Sequence, residues 1–329
     1  MDNGDVDVLV VGAGPTGLAM AAELRYHGAR ARLVDARSGR AHESRAFGVQ
    51  ARTLELLQSR GLADELIARG RTNLHMVRHS PGRKPARLVL ADIGVRGTRF
   101  PFMLMVSQAD TEDVLHAHLE SLGGRTEFGT ELVSFTQDDG GVSATLRRAD
   151  GTTEQVHAAY LIGADGAHST VREHAGIAFD GGTYAVSWVL ADLDVDGPLE
   201  PGPVHLFIGP TGLNAFVTLK RPAPWRMMAV DLDATSEQHS GAPALEELQQ
   251  LADHKTDLPL RLHSDIWRSR FRVHHRIARR FRAGWVFLAG DAGHIHSPWS
   301  PRNPQHECGA AYSCRPAAHW PLGLAPPDG

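Results

Sequence analysis

The stretch Asp5-Val6-Asp7-Val8-Leu9-Val10-Val11-Gly12-Ala13-Gly14-Pro15-Thr16-Gly17 decides the fold. Its first half is an apolar-rich run too short for a helix, which predicts a buried strand. From Pro15 to His27 the apolar residues Leu18, Ala21, Ala22 and Leu24 recur at helical spacing, and Gly28 offers a stop. A second strand, Ala31 to Val34, ends at Asp35. Strand, glycine turn, helix and strand make a βαβ unit.

The three glycines of the turn contribute differently. Gly12 permits a tight bend, Gly14 lets a pyrophosphate approach the backbone, and Gly17 lets the helix pack closely on the strand. An anion then sits at the helix N-terminus, where unpaired N–H groups and the helix dipole favour negative charge. Asp35 ends the second strand where a carboxylate accepts hydrogen bonds from ribose hydroxyls. Together these features predict dinucleotide binding, with NAD and FAD equally compatible.

Further along, Val49 to Gln58 and Thr111 to Leu122 read as helices, and Ser143 to Arg148 and Thr153 to Ile162 as a strand pair turned at Ala149-Asp150-Gly151. From Gly181 to Val273 the pattern becomes short strands with one helix, Ala244 to Asp253, which predicts a second, sheet-rich domain. An apolar strand, Trp285 to Ala289, then returns to the first domain's sheet. The expected fold is α/β, with a Rossmann-like first domain and a sheet-rich second. The expected division is 1–78, 100–180 and 274–298 for the first domain, 79–99 and 181–273 for the second, and an irregular tail at 299–329. That tail holds six prolines, at 301, 304, 316, 321, 326 and 327, and shows no sustained periodicity.

At 329 residues the chain is long enough for two or three cores. A net charge of −4 gives no electrostatic footprint for nucleic acid or an anionic membrane. No apolar run reaches the ~18 residues that span a bilayer, so no membrane role and a cytoplasmic location are expected. Cys308 and Cys314 are too few and too close for a disulfide framework, and with His306 and His319 they miss the usual zinc spacings, so no metal is expected. Arg268, Arg270 and Arg272 alternate on one face of a strand within an arginine-rich stretch that ends at Arg282. They read as a solvated face.

Beyond the glycine turn, four segments resemble the flavoprotein aromatic hydroxylases, the class A monooxygenases of the para-hydroxybenzoate hydroxylase type. Ser44-Arg45-Ala46-Phe47-Gly48 with Arg52 to Leu57 is similar to the family's segment running beside the flavin. Val106-Ser107-Gln108, before a helix containing Glu112 and Leu115, is similar to its glutamine-before-helix element; Gln108 could equally cap that helix. Leu161 to Arg172, with Asp165-Gly166 at its centre, resembles the family's Asp-Gly fingerprint, which serves both FAD and the nicotinamide donor. Gly284 to His294, with Gly290-Asp291, resembles its Gly-Asp fingerprint, and Pro298 the proline near the flavin's reactive face.

The resemblance implies FAD as cofactor, NADPH or NADH as co-substrate, and dioxygen with an aromatic small molecule as reactants. It implies cofactor contacts at Gly12, Gly14, Pro15, Thr16, Gly17, Asp35, Ala36, Arg37, Arg45, Gln108, Asp165, Gly166, Gly290, Asp291 and Pro298. No catalytic residue is singled out, although His205, His263, His274 and His275 fall in the substrate region. After Pro298 the sequence departs from the family, which continues with a glycine-rich turn, a Met-Asn pair and a long helix. Codons for Gln305 to Ala310 are compatible with Met-Asn-Ala-Gly-Leu in a neighbouring frame, so a truncated or frame-shifted C-terminal part, with impaired hydroxylation, is the expectation.

Overall fold

The computed structural model describes residues 5–40, 48–73, 75–89, 97–209, 212–231 and 241–295. Arg45, Pro298 and the whole 299–329 tail lie outside them.

The first strand, β1 (Asp5–Val11), lies at the centre of a sheet in which it pairs in parallel with β2 (Ala31–Asp35) on one side and Thr153–Gly163 on the other. Thr126–Phe128 extends the parallel run beyond β2, and Val286–Leu288 extends it beyond Thr153–Gly163. β1 is apolar throughout its second half because both faces are covered. Val8 and Val10 enter one core with helix α1 (Pro15–Tyr26) and helix Gln108–Ser121; Leu9 and Val11 enter another beneath the hairpin Thr130–Asp138/Gly141–Arg148. Pro15 opens α1, where its missing N–H costs nothing.

The second sheet contains the expected short strands, Val204–Gly209, Gly212–Thr218 and Trp225–Asp231, with helix Leu245–Lys255 on one face. His75–His79 and Ala86–Val89 complete one edge. Two 18-residue strands, Phe179–Asp196 and Arg261–Ala278, pair antiparallel and tie this sheet to the first domain, where Phe179 and Ala278 reach the core beneath the hairpin. The expected boundary at residue 274 therefore falls inside an unbroken strand, and His294–Ile295 pairs with Arg276 and Ile277 in the second sheet. Strand pairing carries the second sheet's ladder past the expected boundary.

A polar clamp also ties the end of Gly212–Thr218 in the second sheet to the helices and a small three-stranded sheet of the first domain. Arg221 pairs with the buried Asp110 at the N-terminus of helix Gln108–Ser121, Lys220 Nζ donates to the Ala68 carbonyl at 2.8 Å, and Arg71 Nε donates to the Leu219 carbonyl at 3.3 Å.

The arginine stripe is only partly solvated: Arg272 is exposed, as expected, while the Arg270 side chain is not. Arg270 is only 5% exposed because helix Leu245–Lys255 covers it and supplies Glu247 as its ion partner, while Arg268 Nε meets Asp265 at 2.9 Å.

Candidate cofactor site

The Asp-Gly and Gly-Asp segments and the end of β2 meet at the β1–α1 turn. Gly12 has φ +101°, and a Cβ there would stand 2.3 Å from the Ala164 carbonyl oxygen and 2.8 Å from Asp165 Cα. Only a glycine lets the turn press against the start of the Asp-Gly segment. A Cβ on Gly17 would stand 1.8 Å from the Gly12 oxygen, so helix and turn are in backbone contact. Gly290, with φ +59°, faces Thr16 so closely that a Cβ would lie 2.6 Å from its Oγ1. Backbone bonds complete the junction: Gly12 N donates to Val34 O, Ala164 N to Val11 O and Ala289 N to Gly163 O, each at 2.8 Å.

Gly14 is the exception. It precedes α1 in extended geometry, and a Cβ on it would meet nothing within 4 Å among the described residues. The turn therefore leaves open space in front of a helix N-terminus, whose first N–H groups have no partners within the helix. This is the cradle a diphosphate requires, and the residues present fit a flavin dinucleotide.

Asp35 is buried beside this turn, and its carboxylate already accepts four hydrogen bonds. Ala13 N donates to Oδ2 at 2.7 Å, and Arg37 donates through its backbone N at 2.8 Å, Nε at 3.0 Å and Nη2 at 3.0 Å. Burial pushes its pKa up, but the Arg37 side chain and the Ala13 and Arg37 N–H groups outweigh burial and hold it below the usual carboxylate range. The acceptor expected for ribose is thus saturated, chiefly by Arg37.

Asp165 receives hydrogen bonds from Ser169 Oγ and from Val171 N, capping the short helix Thr170–His174; burial nonetheless raises its pKa. Gly166, at φ +81°, turns the chain immediately after it. Arg172, almost fully buried, donates to the Ala292 carbonyl at 3.1 Å and the Ala167 carbonyl at 3.0 Å, so it ties the Asp-Gly segment to the Gly-Asp segment. Asp291 is exposed within the turn Gly290–Ala292.

Gln108 does not cap its helix. Ser107 does, accepting from Asp110 N at 3.0 Å, while the Gln108 amide donates to Glu112 Oε1 at 2.8 Å. Glu112 is 1% exposed, its Oε2 has no hydrogen-bond partner among the described residues, and burial raises its pKa. Sequence reasoning named Glu112 only as a marker of its helix; a buried carboxylate has no periodic signature that sets it apart from a solvated one. His205 is buried on the helix-covered face of the second sheet, bonded to Glu200 O at 2.8 Å and to His79 at 3.0 Å. Among the described residues no group of His, Cys, Asp and Glu could hold a metal, and no helix is long and apolar enough to cross a membrane.

The fold and the turn define a dinucleotide-binding α/β protein. The chain belongs to the FAD binding domain family, which it matches over residues 5–301. It is 38% identical over 293 residues to 6-methylpretetramide 4-monooxygenase of Streptomyces rimosus, covering 89% of this chain and 52% of the relative. It is 36% identical over 308 residues to pentachlorophenol 4-monooxygenase of Sphingobium chlorophenolicum, covering 89% of this chain and 54% of the relative. The chain thus spans about half the length of these relatives. Among solved structures, the flavin-dependent monooxygenase PieE in complex with FAD and substrate superposes with a TM-score of 0.77 at 26% identity, covering 91% of this chain and 55% of that one.

Proposed function

We propose that this chain forms the FAD-binding and substrate-facing part of a cytoplasmic monooxygenase that hydroxylates an aromatic compound, a phenol or an aromatic polyketide, with NADPH or NADH and dioxygen. The observation that carries the reading is the convergence of Gly14, Asp35, Asp165 and Gly290 around one open helix N-terminus. The names of the relatives, which act on a pretetramide and on pentachlorophenol, support the substrate class.

FAD, when bound, supplies the redox and oxygen chemistry; the chain supplies position, electrostatics and exclusion of water. The α1 N-terminus and the open backbone at Gly14 hold the diphosphate, with Pro15, Thr16 and Gly17 shaping the entry. Asp35, Ala36 and Arg37 flank the ribose, Gln108 runs beside it, and Gly166, Gly290 and Asp291 present backbone and carboxylate to the ribitol side. Arg45 and Pro298 belong to the same proposed set by resemblance.

The aromatic substrate is met by the sheet face opposite helix Leu245–Lys255. That face carries Trp188, Leu190, Met228, Trp267 and Phe271, and at one end Val204 and Val217 pack on Met103 and Met105. A flat apolar face of this kind binds a planar ring through area and shape. The nicotinamide donor meets the guanidinium groups of Arg272 and Arg276, which lie near His274 and, after burial, help to lower its pKa.

The test is direct. Purified chain is titrated with FAD by flavin fluorescence, then supplied with NADPH, a phenol panel and labelled dioxygen. Label in the product supports the proposal. NADPH oxidation yielding only hydrogen peroxide would reduce it to a flavin oxidoreductase, and failure to bind FAD would overturn it.

A further inference from the structure

The expected ribose acceptor is blocked, and a second carboxylate nearby is idle. All four hydrogen bonds to Asp35 come from within the chain, three of them from Arg37, whose side chain is 39% exposed and therefore has room to move. Glu112 is its counterpart: enclosed, with Oε1 occupied by Gln108 and Oε2 bonded to nothing among the described residues. The two sites flank one strand end. Asp35 pairs with Phe128, Arg37 O accepts from Gly129 N at 2.7 Å, and His116, one turn beyond Glu112, packs its ring on Phe128 at 5.7 Å. His116 Nε2 is likewise buried without a partner among the described residues.

Leaving a buried carboxylate oxygen unpaired is costly unless a bound state pairs it. Resting on the FAD reading above, we propose that cofactor binding moves the Arg37 guanidinium from Asp35 to Glu112, freeing Asp35 for the ribose hydroxyls and making Glu112 a positioning residue for the cofactor.

The groups facing Glu112 agree with this exchange. Arg37 and Asp35 reach it from the end of β2, Gln108 and Asp113 from its own helix, and Arg37 is the principal cation among them. Without cofactor, burial raises the Glu112 pKa and favours its protonated form; the arriving Arg37 guanidinium favours the carboxylate, so binding is expected to release a proton to solvent.

The experiment measures FAD affinity by fluorescence quenching across pH for wild type, Glu112→Gln, Arg37→Gln and the double variant, with circular dichroism confirming the fold of each. Wild-type affinity is expected to rise with pH; the near-isosteric Glu112→Gln is expected to bind FAD about tenfold more weakly, the size of one charge-assisted hydrogen bond, and to lose that rise. The double variant is expected to bind no more weakly than Arg37→Gln alone. Wild-type affinity in Glu112→Gln, or additive losses in the double variant, overturns the exchange while leaving FAD binding intact. A wild type that binds no FAD overturns the underlying reading and the exchange with it.

Discussion

Gly290 and Thr16 stand in backbone-to-side-chain contact, so close that a single added carbon on Gly290 would lie 2.6 Å from Thr16 Oγ1. Through this contact a segment near residue 290 becomes a wall of a site founded near residue 14. Gly290→Ala must therefore push the Gly-Asp segment off α1 and also adopt a left-handed conformation that costs about 1–2 kcal/mol for a residue with a Cβ. We expect both lower thermal stability and weaker FAD binding, read by a melting curve and a fluorescence titration on one preparation. Retention of both at wild-type values would mean the contact is incidental.

The glycines at 12 and 14 are expected to fail differently. Gly12→Ala meets the Ala164 carbonyl and should destabilise the protein with or without FAD. Gly14→Ala meets open space, so its melting temperature without cofactor should match wild type while FAD affinity falls at least about tenfold, because the new methyl occupies the diphosphate's approach. Equal melting losses in the two variants would argue against the assignment.

In the second sheet, Arg226 and Asp192 form a doubly bonded pair, Nε to Oδ1 at 2.6 Å and Nη2 to Oδ2 at 2.7 Å, with exposures of 0% and 2%. Removing one member strands the other charge. Arg226→Met should cost about 3–5 kcal/mol in urea unfolding, and the paired change Arg226→Met with Asp192→Leu should recover most of it. A single-variant loss below about 1 kcal/mol would place the pair in far better solvation than its burial indicates.

Asn214 is buried on the helix-covered face with neither amide atom bonded among the described residues. An unsatisfied polar group there is a liability of about 1–3 kcal/mol, so Asn214→Leu, of similar volume and set among Phe207, Phe216 and Ala229, should raise the unfolding midpoint. A lower midpoint would indicate that the amide serves a partner the fold alone does not provide.

The pH dependence of stability has two opposing carboxyls. Asp35 titrates below its unfolded value, so its stabilisation is complete above about pH 4 and is lost as pH falls through the folded value. Glu112 titrates above its unfolded value, so its contribution is complete below about pH 4 and is lost as pH rises through the folded value. Cofactor-free Glu112→Gln should consequently exceed wild type in urea midpoint near neutral pH and match it in acid. Equal midpoints at both would show that Glu112 is already ionised or solvated in the folded chain.

The glycine turn, the first helix, Asp35 and most of the short strands are legible in the sequence, because each carries a local signature: a forced backbone angle, a period, or a strand-end carboxylate; the Asp-Gly and Gly-Asp segments are legible through resemblance. The Arg45 and Pro298 contacts rest on resemblance alone, since both positions lie outside the described residues. The boundary near residue 274 and the burial of Arg270 escape sequence reasoning for one shared reason. Both depend on what packs against the strand, and turn residues and charge do not encode that.

From its sequence alone this chain is directed to a βαβ nucleotide cradle, since the three glycines stand between a strand and a helix and an acidic residue ends the next strand. Tertiary structure alone decided which groups are free to act there. It set Arg37 on Asp35, left Glu112 enclosed and half-paired, and brought Gly290 against Thr16. Hydrogen-bond saturation and burial are properties of neighbours distant in the chain, and these come together only when the sheet order places β1 between β2 and the strand Thr153–Gly163.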